Sequence, residues 1–136
     1  MAQENVEIVR SAFQTFGAEG IDAALAYFSP DLVWHTSDRF LEGSAYHGHD
    51  GMRTLANTFG ENFDDFHWEV HDVRDAGDRV VALCDMTGRI KDSGVEIRQR
   101  LGFVVSGFDD GTMRDVRVYQ GWPDALAAAG LSQESA

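Results

Sequence analysis

Apolar residues near the start of the chain recur every three or four positions, which is the spacing of one face of an α-helix. The residues that follow this spacing are Val6, Val9, Phe13 and Phe16. They predict a first helix over residues 5–16. Residues 21–28 predict a second, shorter helix that ends at Ser29-Pro30, because proline disfavours helical backbone in the residue before it.

A third helix is predicted to begin at Asp50, whose carboxylate suits the positive end of the helix dipole. From Phe66 onward polar and apolar residues alternate with a period of two, which is the pattern of β-strands. Turn-forming stretches separate these runs, and Pro123 opens a short Ala-rich C-terminal helix. The predicted strands cover residues 31–36, 66–71, 79–90, 95–106 and 113–120.

This order of elements predicts an α+β fold in one domain over residues 1–131, followed by a loose polar tail over residues 132–136. We expect a cone-shaped, curved and mostly antiparallel sheet, built from one short strand and a four-strand meander. Three helices would cover its concave side, and the irregular, polar residues 37–48 would arch over the mouth. Such an arrangement leaves a cavity between the helices and the sheet.

Composition narrows the range of partners. The 136 residues include 23 acidic and 11 basic ones, and the formal charge of −12 repels nucleic acids and anionic membranes. Cys84 is the single cysteine, which excludes an intrachain disulfide and fits a cytoplasmic protein. His47 and His49 have a spacing found in metal sites, but no matching carboxylate or third histidine accompanies them, so we expect neither metal nor cofactor.

The outer face of the predicted sheet would carry cationic and aromatic side chains among apolar neighbours. These side chains are Arg98, Arg100, Arg117 and Tyr119. A second copy of the chain would cover such a face, so we expect a homodimer.

The chain from Glu4 to Leu131 resembles the SnoaL-like polyketide cyclase and ketosteroid-isomerase-like group of the nuclear transport factor 2-like superfamily. The segments that carry the resemblance are residues 5–10 (NVEIVR), 46–51 (YHGHDG), 76–83 (AGDRVVAL), 109–111 (DDG) and 117–119 (RVY). The resemblance implies the cone-shaped fold and a small-molecule pocket. It does not imply one reaction, because the superfamily includes isomerases, cyclases, hydrolases and proteins without catalysis.

The same resemblance places His35 where steroid isomerases carry their catalytic base, so we expect it to face the cavity and accept a proton. The two oxyanion donors of those isomerases fall on Ala12 and Phe103, which cannot donate. Gln99 and Gln120 are the expected replacements, since their amides can donate to a developing enolate.

The alignment also predicts which side chains meet a ligand. The expected cavity side of the strands comprises Val33, Ala82, Cys84, Met86, Gln99, Leu101, Phe103, Val116, Val118 and Gln120. Aromatic residues expected to shape the entrance are Tyr27, Phe59, Phe63 and Trp122. A pocket of this composition suits a hydrophobic, polycyclic or aromatic molecule.

The sequence therefore predicts a small, cofactor-independent isomerase, cyclase or lyase acting on a hydrophobic carbonyl or polyketide-like compound through His35. Two alternatives stay open. One is a member of the same fold that binds a small molecule or acts as a scaffold without catalysis. The other is an epoxide or lactone hydrolase in which His35 activates water.

Overall fold

A computed structural model of the protein describes residues 2–36 and 45–131, with side chains from residue 4 onward. Most of the predicted mouth loop and the predicted tail lie outside the described residues. The helices are α1 (Ala2–Glu19), α2 (Ile21–Ala24), a 3-10 helix (Leu25–Tyr27), α3 (Gly48–Asn62) and α4 (Trp122–Ala128).

Six strands form one open sheet within the described part of the chain. They are β1 (Phe28–His35), β2 (Ala45–His47), β3 (Phe63–Asp75), β4 (Val80–Ile90), β5 (Glu96–Asp109) and β6 (Thr112–Gln120). Their order is β2-β1-β6-β5-β4-β3, and every neighbouring pair is antiparallel except β1 and β6. The α+β class and the mostly antiparallel sheet are therefore confirmed.

The predicted elements differ from the structure in two places: residues 45–47, predicted to be irregular, form β2, and the chain around Pro30 is a strand. The second helix was expected to reach residue 28, but β1 already begins at Phe28 and contains Pro30. The pairing of β1 with β6 is irregular between Phe28 and Val33, so this part of the strand does not need the backbone N–H that proline lacks. The irregularity matters below, because it affects which side chains of β1 face inward.

The two faces of the sheet carry separate apolar cores. The inner face packs against α1, α2 and α3 and forms the larger core. On the outer face α4 packs over β4 and β5 and buries a smaller cluster: Val81, Leu83, Val104, Ala125, Leu126 and Ala129. Gly102 permits this contact, since a Cβ atom at that position would overlap the Cβ atom of Ala125. The place of α4 on the outer face was not predicted.

Candidate binding site: an apolar cavity on the inner face

A small cavity of about 50 Å³ lies between the inner face of the sheet and the three inner helices. The first three helices contribute most of its wall: Val9, Ala12, Phe13, Phe16, Ile21, Ala24, Met52, Leu55, Ala56 and Phe59. The strands contribute Phe28, Trp34, Trp68, Phe103, Val105, Met113 and Val116. The apolar stripe predicted for the first helix thus becomes a cavity wall.

Phe103 is the ring at which the aromatic side chains of this wall meet. Its centroid lies 5.2 Å from that of Phe13, 5.5 Å from that of Trp34 and 5.2 Å from that of Trp68. The three rings are inclined to it by 58°, 54° and 85°, which is the tilted or edge-to-face packing that aromatic pairs favour. Phe103 is 1 % exposed, so this aromatic corner is a closed part of the core.

The chemistry of the cavity wall is uniform. Among the described residues that line it, no side chain titrates near neutral pH, and none carries a carboxylate, an imidazole, a hydroxyl or an amide. Such a wall binds by shape and by dispersion contacts. It provides no acid or base for a proton transfer.

The prediction that His35 faces the cavity is wrong. Trp34 pairs with Val116, which lines the cavity, whereas His35 pairs with Arg117 on the other face. Paired residues of neighbouring strands share a face, so Trp34 points inward and His35 outward. The Nε2 atom of His35 lies 3.6 Å from Oδ2 of Asp115, and a third of the side chain is exposed.

Val33 shares the outward orientation of His35, because it pairs with Asp115. The alternation of β1 was correct as a strand pattern, but its phase relative to the cavity was wrong. The resemblance to steroid isomerases had indicated which side chains of β1 face the cavity, and the pairing of β1 with β6 shows that the opposite set does. The aromatic residue beside the histidine takes the inward position instead.

Gln99 and Gln120 lie on the inner side of the sheet, because Gln99 pairs with the buried Met86 and Gln120 with the buried Leu101. Neither glutamine lines the cavity. The structure therefore does not place either amide where it could donate to a molecule inside.

The remaining predicted ligand contacts divide into three groups. Phe59, Phe103 and Val116 line the cavity. Buried elsewhere in the inner core, without lining the cavity, are Ala82, Cys84, Met86, Leu101 and Val118. Tyr27 is half-buried at the edge of this core and does not line the cavity either. The sequence analysis missed two cavity residues, Trp34 and Trp68. Placing Val33 and His35 inward had put Trp34 on the other face of the sheet.

The burial of Cys84 makes its thiol unsuited to nucleophilic chemistry. Its side chain is fully buried in the core, and burial, with a smaller contribution from the neighbouring Asp85, raises the pKa of its thiol to about 12. A thiol with such a pKa stays protonated at neutral pH.

Trp122 was expected at the cavity entrance, and it lies on the opposite face of the sheet. Its indole N–H donates to the backbone oxygen of Cys84 at 3.1 Å. The guanidinium of Arg100 lies 4.1 Å from the centre of its ring, and the His71 ring centroid is 5.2 Å away. The position of α4 explains the difference, since Trp122 is the first residue of that helix.

Beside Trp122, a buried carboxylate organises the charged side chains of the outer face. Asp85 is 2 % exposed, and its Oδ2 accepts hydrogen bonds from Arg98 and lies 2.9 Å from Nε2 of His71. Arg98 also bonds Glu69. His71 is the extra residue of a β-bulge, because Val70 pairs with Cys84 but Asp72 pairs with Leu83.

These contacts determine the charge state of Asp85. Burial alone would raise the pKa of its carboxyl, but the hydrogen bonds and charges of His71 and Arg98 together outweigh burial and hold the pKa below its ordinary value. The Oδ1 atom has no hydrogen-bond partner within the described chain, and Nε of Arg100 lies 3.7 Å from it. Asp85 is thus ionised and incompletely paired.

The described residues contain no cluster of metal ligands and no membrane-spanning helix. No group of three His, Cys, Asp or Glu side chains there could hold a metal ion. None of the helices within residues 2–36 and 45–131 is long and apolar enough to cross a bilayer.

Helices on one face of an open, mostly antiparallel sheet, around an apolar cavity, define the cone-shaped nuclear transport factor 2-like class of folds. The chain belongs to the SnoaL-like domain family, whose profile matches residues 9–116. No functionally curated protein matches it in sequence. The family prediction is confirmed.

Several solved structures share this fold. A hypothetical protein with a ketosteroid isomerase-like fold from Catenulispora acidiphila, in complex with trimethylamine, has 16% identity and a TM-score of 0.73 over 94% of this chain and 95% of its own. TerC, co-crystallised with polyporic acid, has 17% identity and a TM-score of 0.74 over 94% and 97%. A Jannaschia protein described as a SnoaL-like polyketide cyclase has 21% identity and a TM-score of 0.73 over 93% and 90%. At these identities the likeness concerns the fold.

Proposed function

We propose that this chain binds a small apolar molecule in the inner cavity and does so without acid–base catalysis by the cavity wall. The observation that carries the proposal is the composition of that wall, which is aliphatic and aromatic throughout its described residues. Ligand sites of proteins are usually apolar with a few polar groups that fix orientation. Among the described wall side chains only Trp34 and Trp68 carry an N–H group, so the ligand is oriented mainly by shape.

The size of the cavity limits the ligand. Sites for drug-sized molecules have volumes of about 300–1,000 Å³, whereas this cavity has about 50 Å³. A ligand is therefore small, or it displaces part of the wall. Met52 and Met113 are the wall residues best suited to yield, because unbranched methionine side chains repack easily.

The fold neighbours support a binding function in general terms. The C. acidiphila protein and TerC were each solved with a small molecule, trimethylamine and polyporic acid respectively. We extend to this chain the binding of a small molecule in the same fold and not the identity of either ligand.

The test is a screen of small neutral apolar fragments by saturation-transfer NMR. Ala12, which lines the cavity and is 4 % exposed, would be changed to valine to fill the space. Ala18→Val in the exposed end of the same helix is the matched control. We expect fragments that bind the wild type and Ala18→Val but lose most of their affinity for Ala12→Val. A screen without such fragments would refute the proposal.

A cyclase is the second candidate, because the Jannaschia neighbour is described as one and confinement of a flexible chain can lower a barrier without an acid or base. That mechanism would not need His35. If a substrate is found, His35→Ala should leave its turnover unchanged. A loss of turnover in that variant, with the fold intact, would argue for chemistry on the outer face instead. We do not propose the hydrolase, because it requires His35 inside the cavity.

We also propose that two copies associate through the outer face of the sheet. The support is that this face exposes both signs of charge, the cations Arg98 and Arg100 and the anion Glu69, so a symmetry-related copy could pair with it. Sedimentation equilibrium would test it. We expect a dimer for the wild type and a monomer for Arg98→Glu, whereas an unchanged assembly state would contradict the use of this face.

A further inference from the structure

We infer that the indole N–H of Trp34 is the polar anchor of the cavity, and that the ligand carries a hydrogen-bond acceptor and no donor. The inference rests on the proposed function, because it names the polar group of a ligand for the same cavity. A small ether, ester or ketone has this character. The inference follows from the position of Trp34 in the wall, its burial and the unused donor of its ring.

The side chain of Trp34 reaches the cavity wall from β1. Trp34 pairs with Val116, which also lines the cavity, and its ring centroid lies 5.5 Å from that of Phe103. Within the described wall, Trp34 and Trp68 supply the two side-chain N–H groups, and no side-chain oxygen accompanies them. An indole N–H donates and does not accept, so the strong polar groups of the wall are donors only.

The indole N–H of Trp34 has no hydrogen-bond partner within the described chain. The N–H of Trp122, in contrast, donates to the backbone oxygen of Cys84 at 3.1 Å. Among the described side chains that are not exposed, Oδ1 of Asp85 is the one nitrogen or oxygen atom that is both unpartnered and closed off from solvent. The Nε1 atom of Trp34 is therefore unpartnered but open to contact by a molecule.

Burial distinguishes Trp34 from Trp68. Trp34 is 7 % exposed, whereas Trp68 is half-buried, so water pairs more readily with the N–H of Trp68. A buried donor without a partner is costly, and a ligand that brings an acceptor to it converts this cost into affinity. A ligand that brings only carbon leaves the donor of Trp34 unpaired.

The same wall selects against a donor on the ligand. A hydroxyl oxygen accepts from Trp34, but the O–H then needs an acceptor of its own, and the described wall has no side-chain oxygen. An ether or carbonyl oxygen accepts without that cost. A carboxylate also accepts, but one neutral N–H does not offset the burial of its charge.

The first experiment follows the indole N–H signals of the nitrogen-15-labelled intact chain by two-dimensional NMR. The chain has three tryptophans, and the signal that disappears in Trp34→Phe is that of Trp34. The probes are butan-2-one and its carbon isostere 2-methylbut-1-ene, which has a methylene group in place of the oxygen. We expect butan-2-one to move the Trp34 proton signal farther downfield than the alkene does, because a hydrogen bond deshields the donated proton.

The second experiment measures affinities from the backbone amide signals of the same chain. Trp34→Phe keeps an aromatic ring but removes the donor, so the ratio of butan-2-one to alkene affinity should fall by about threefold to tenfold, the effect of one neutral hydrogen bond. Trp122→Phe is the matched control, because Trp122 does not line the cavity, and it should keep the wild-type ratio. Melting temperatures would establish that both variants fold.

A third probe, butan-2-ol, tests the exclusion of a donor. It has the carbon skeleton of butan-2-one and an oxygen at the same carbon atom, but it adds an O–H. We expect the wild type to bind butan-2-one at least about five times more tightly than butan-2-ol, because the buried O–H stays unpaired.

The outcomes separate the two levels of the proposal. If fragments of the screen bind but Trp34→Phe leaves the ratio unchanged, or if Trp68→Phe lowers it instead, the anchor is not Trp34 and the cavity is still a binding site. Butan-2-ol binding as tightly as butan-2-one would overturn the inference that the ligand lacks a donor. If no probe binds and the fragment screen also finds no ligand, the proposed function itself fails.

Discussion

Gly102 offers the sharpest test of how α4 is held on the sheet. A Cβ atom at residue 102 would lie closer than 3.0 Å to the Cβ atom of Ala125, a separation that real Cβ atoms essentially never show. Ordinary carbon–carbon contact occurs at about 3.5–4.0 Å, so Gly102→Ala would push α4 away from β5 by at least about 0.5 Å. Overpacking of this kind typically costs about 1–3 kcal/mol of folding stability.

The assay is urea unfolding of four proteins in a double-mutant cycle: the wild type, Gly102→Ala, Ala125→Gly and the double variant. Without the Ala125 methyl group, the nearest atoms to the new Cβ lie at 3.6 Å, which is ordinary contact. The double variant should therefore lose less stability than the two single changes added together, with a coupling of about 1–3 kcal/mol.

A second glycine of the same strand provides the control. A Cβ atom at Gly107 would meet its nearest neighbour, the Cβ atom of Asp115, at 3.5 Å. Gly107→Ala should therefore change the free energy of unfolding by much less than Gly102→Ala. If Gly102→Ala unfolds like the wild type, or if Ala125→Gly does not rescue it, the close packing of α4 on β5 is refuted.

Three further predictions concern single residues. Asp85→Asn should lower the free energy of unfolding by about 1–3 kcal/mol at neutral pH. Because the pKa of Asp85 is depressed in the folded protein, this difference should shrink as the pH falls below about 4 and through the folded pKa. Urea titrations at neutral and acidic pH would contradict the prediction if they gave the same difference. Gly17 lies in α1 with open space around it, so Gly17→Ala should stabilise the folded protein by about 0.5–1 kcal/mol and raise its melting temperature. An unchanged or lower melting temperature would count against a helix at this position. Cys84, buried with a thiol pKa of about 12, should resist iodoacetamide in the folded protein and react in urea, whereas rapid labelling without urea would show that the core opens.

Local sequence periodicity was sufficient to predict most of the helices and strands. The stripe of Val9, Phe13 and Phe16 predicted a helix, and the alternation after Phe66 predicted the strands of the meander. Both follow from the periods of 3.6 and 2.0 residues with which side chains repeat along a helix and a strand. The bounds shifted, chiefly at Pro30, where an irregularity of strand pairing accommodates a residue that otherwise opposes a strand. The short strand β2 was missed, because residues 45–47 carry no alternating pattern and were predicted to be irregular.

The sequence pattern could not determine which side chains of β1 face inward. Alternation establishes that Trp34 and His35 face opposite sides of a sheet, but it is equally consistent with either of them inside. The pairing of Trp34 with Val116 decides it, and that contact joins residues more than eighty positions apart along the chain. A shift of one residue in such a pairing exchanges the two faces.

The sequence by itself determined the family, the order of helices and strands and the apolar character of the inner face, because these depend on composition and on short-range periodicity. Only the tertiary structure decided that the cavity wall is aromatic, that His35 lies outside it, and that Trp122 joins Asp85 on the opposite face. The physical reason is that a binding site consists of contacts between distant strands and helices, and their relative register is set by packing.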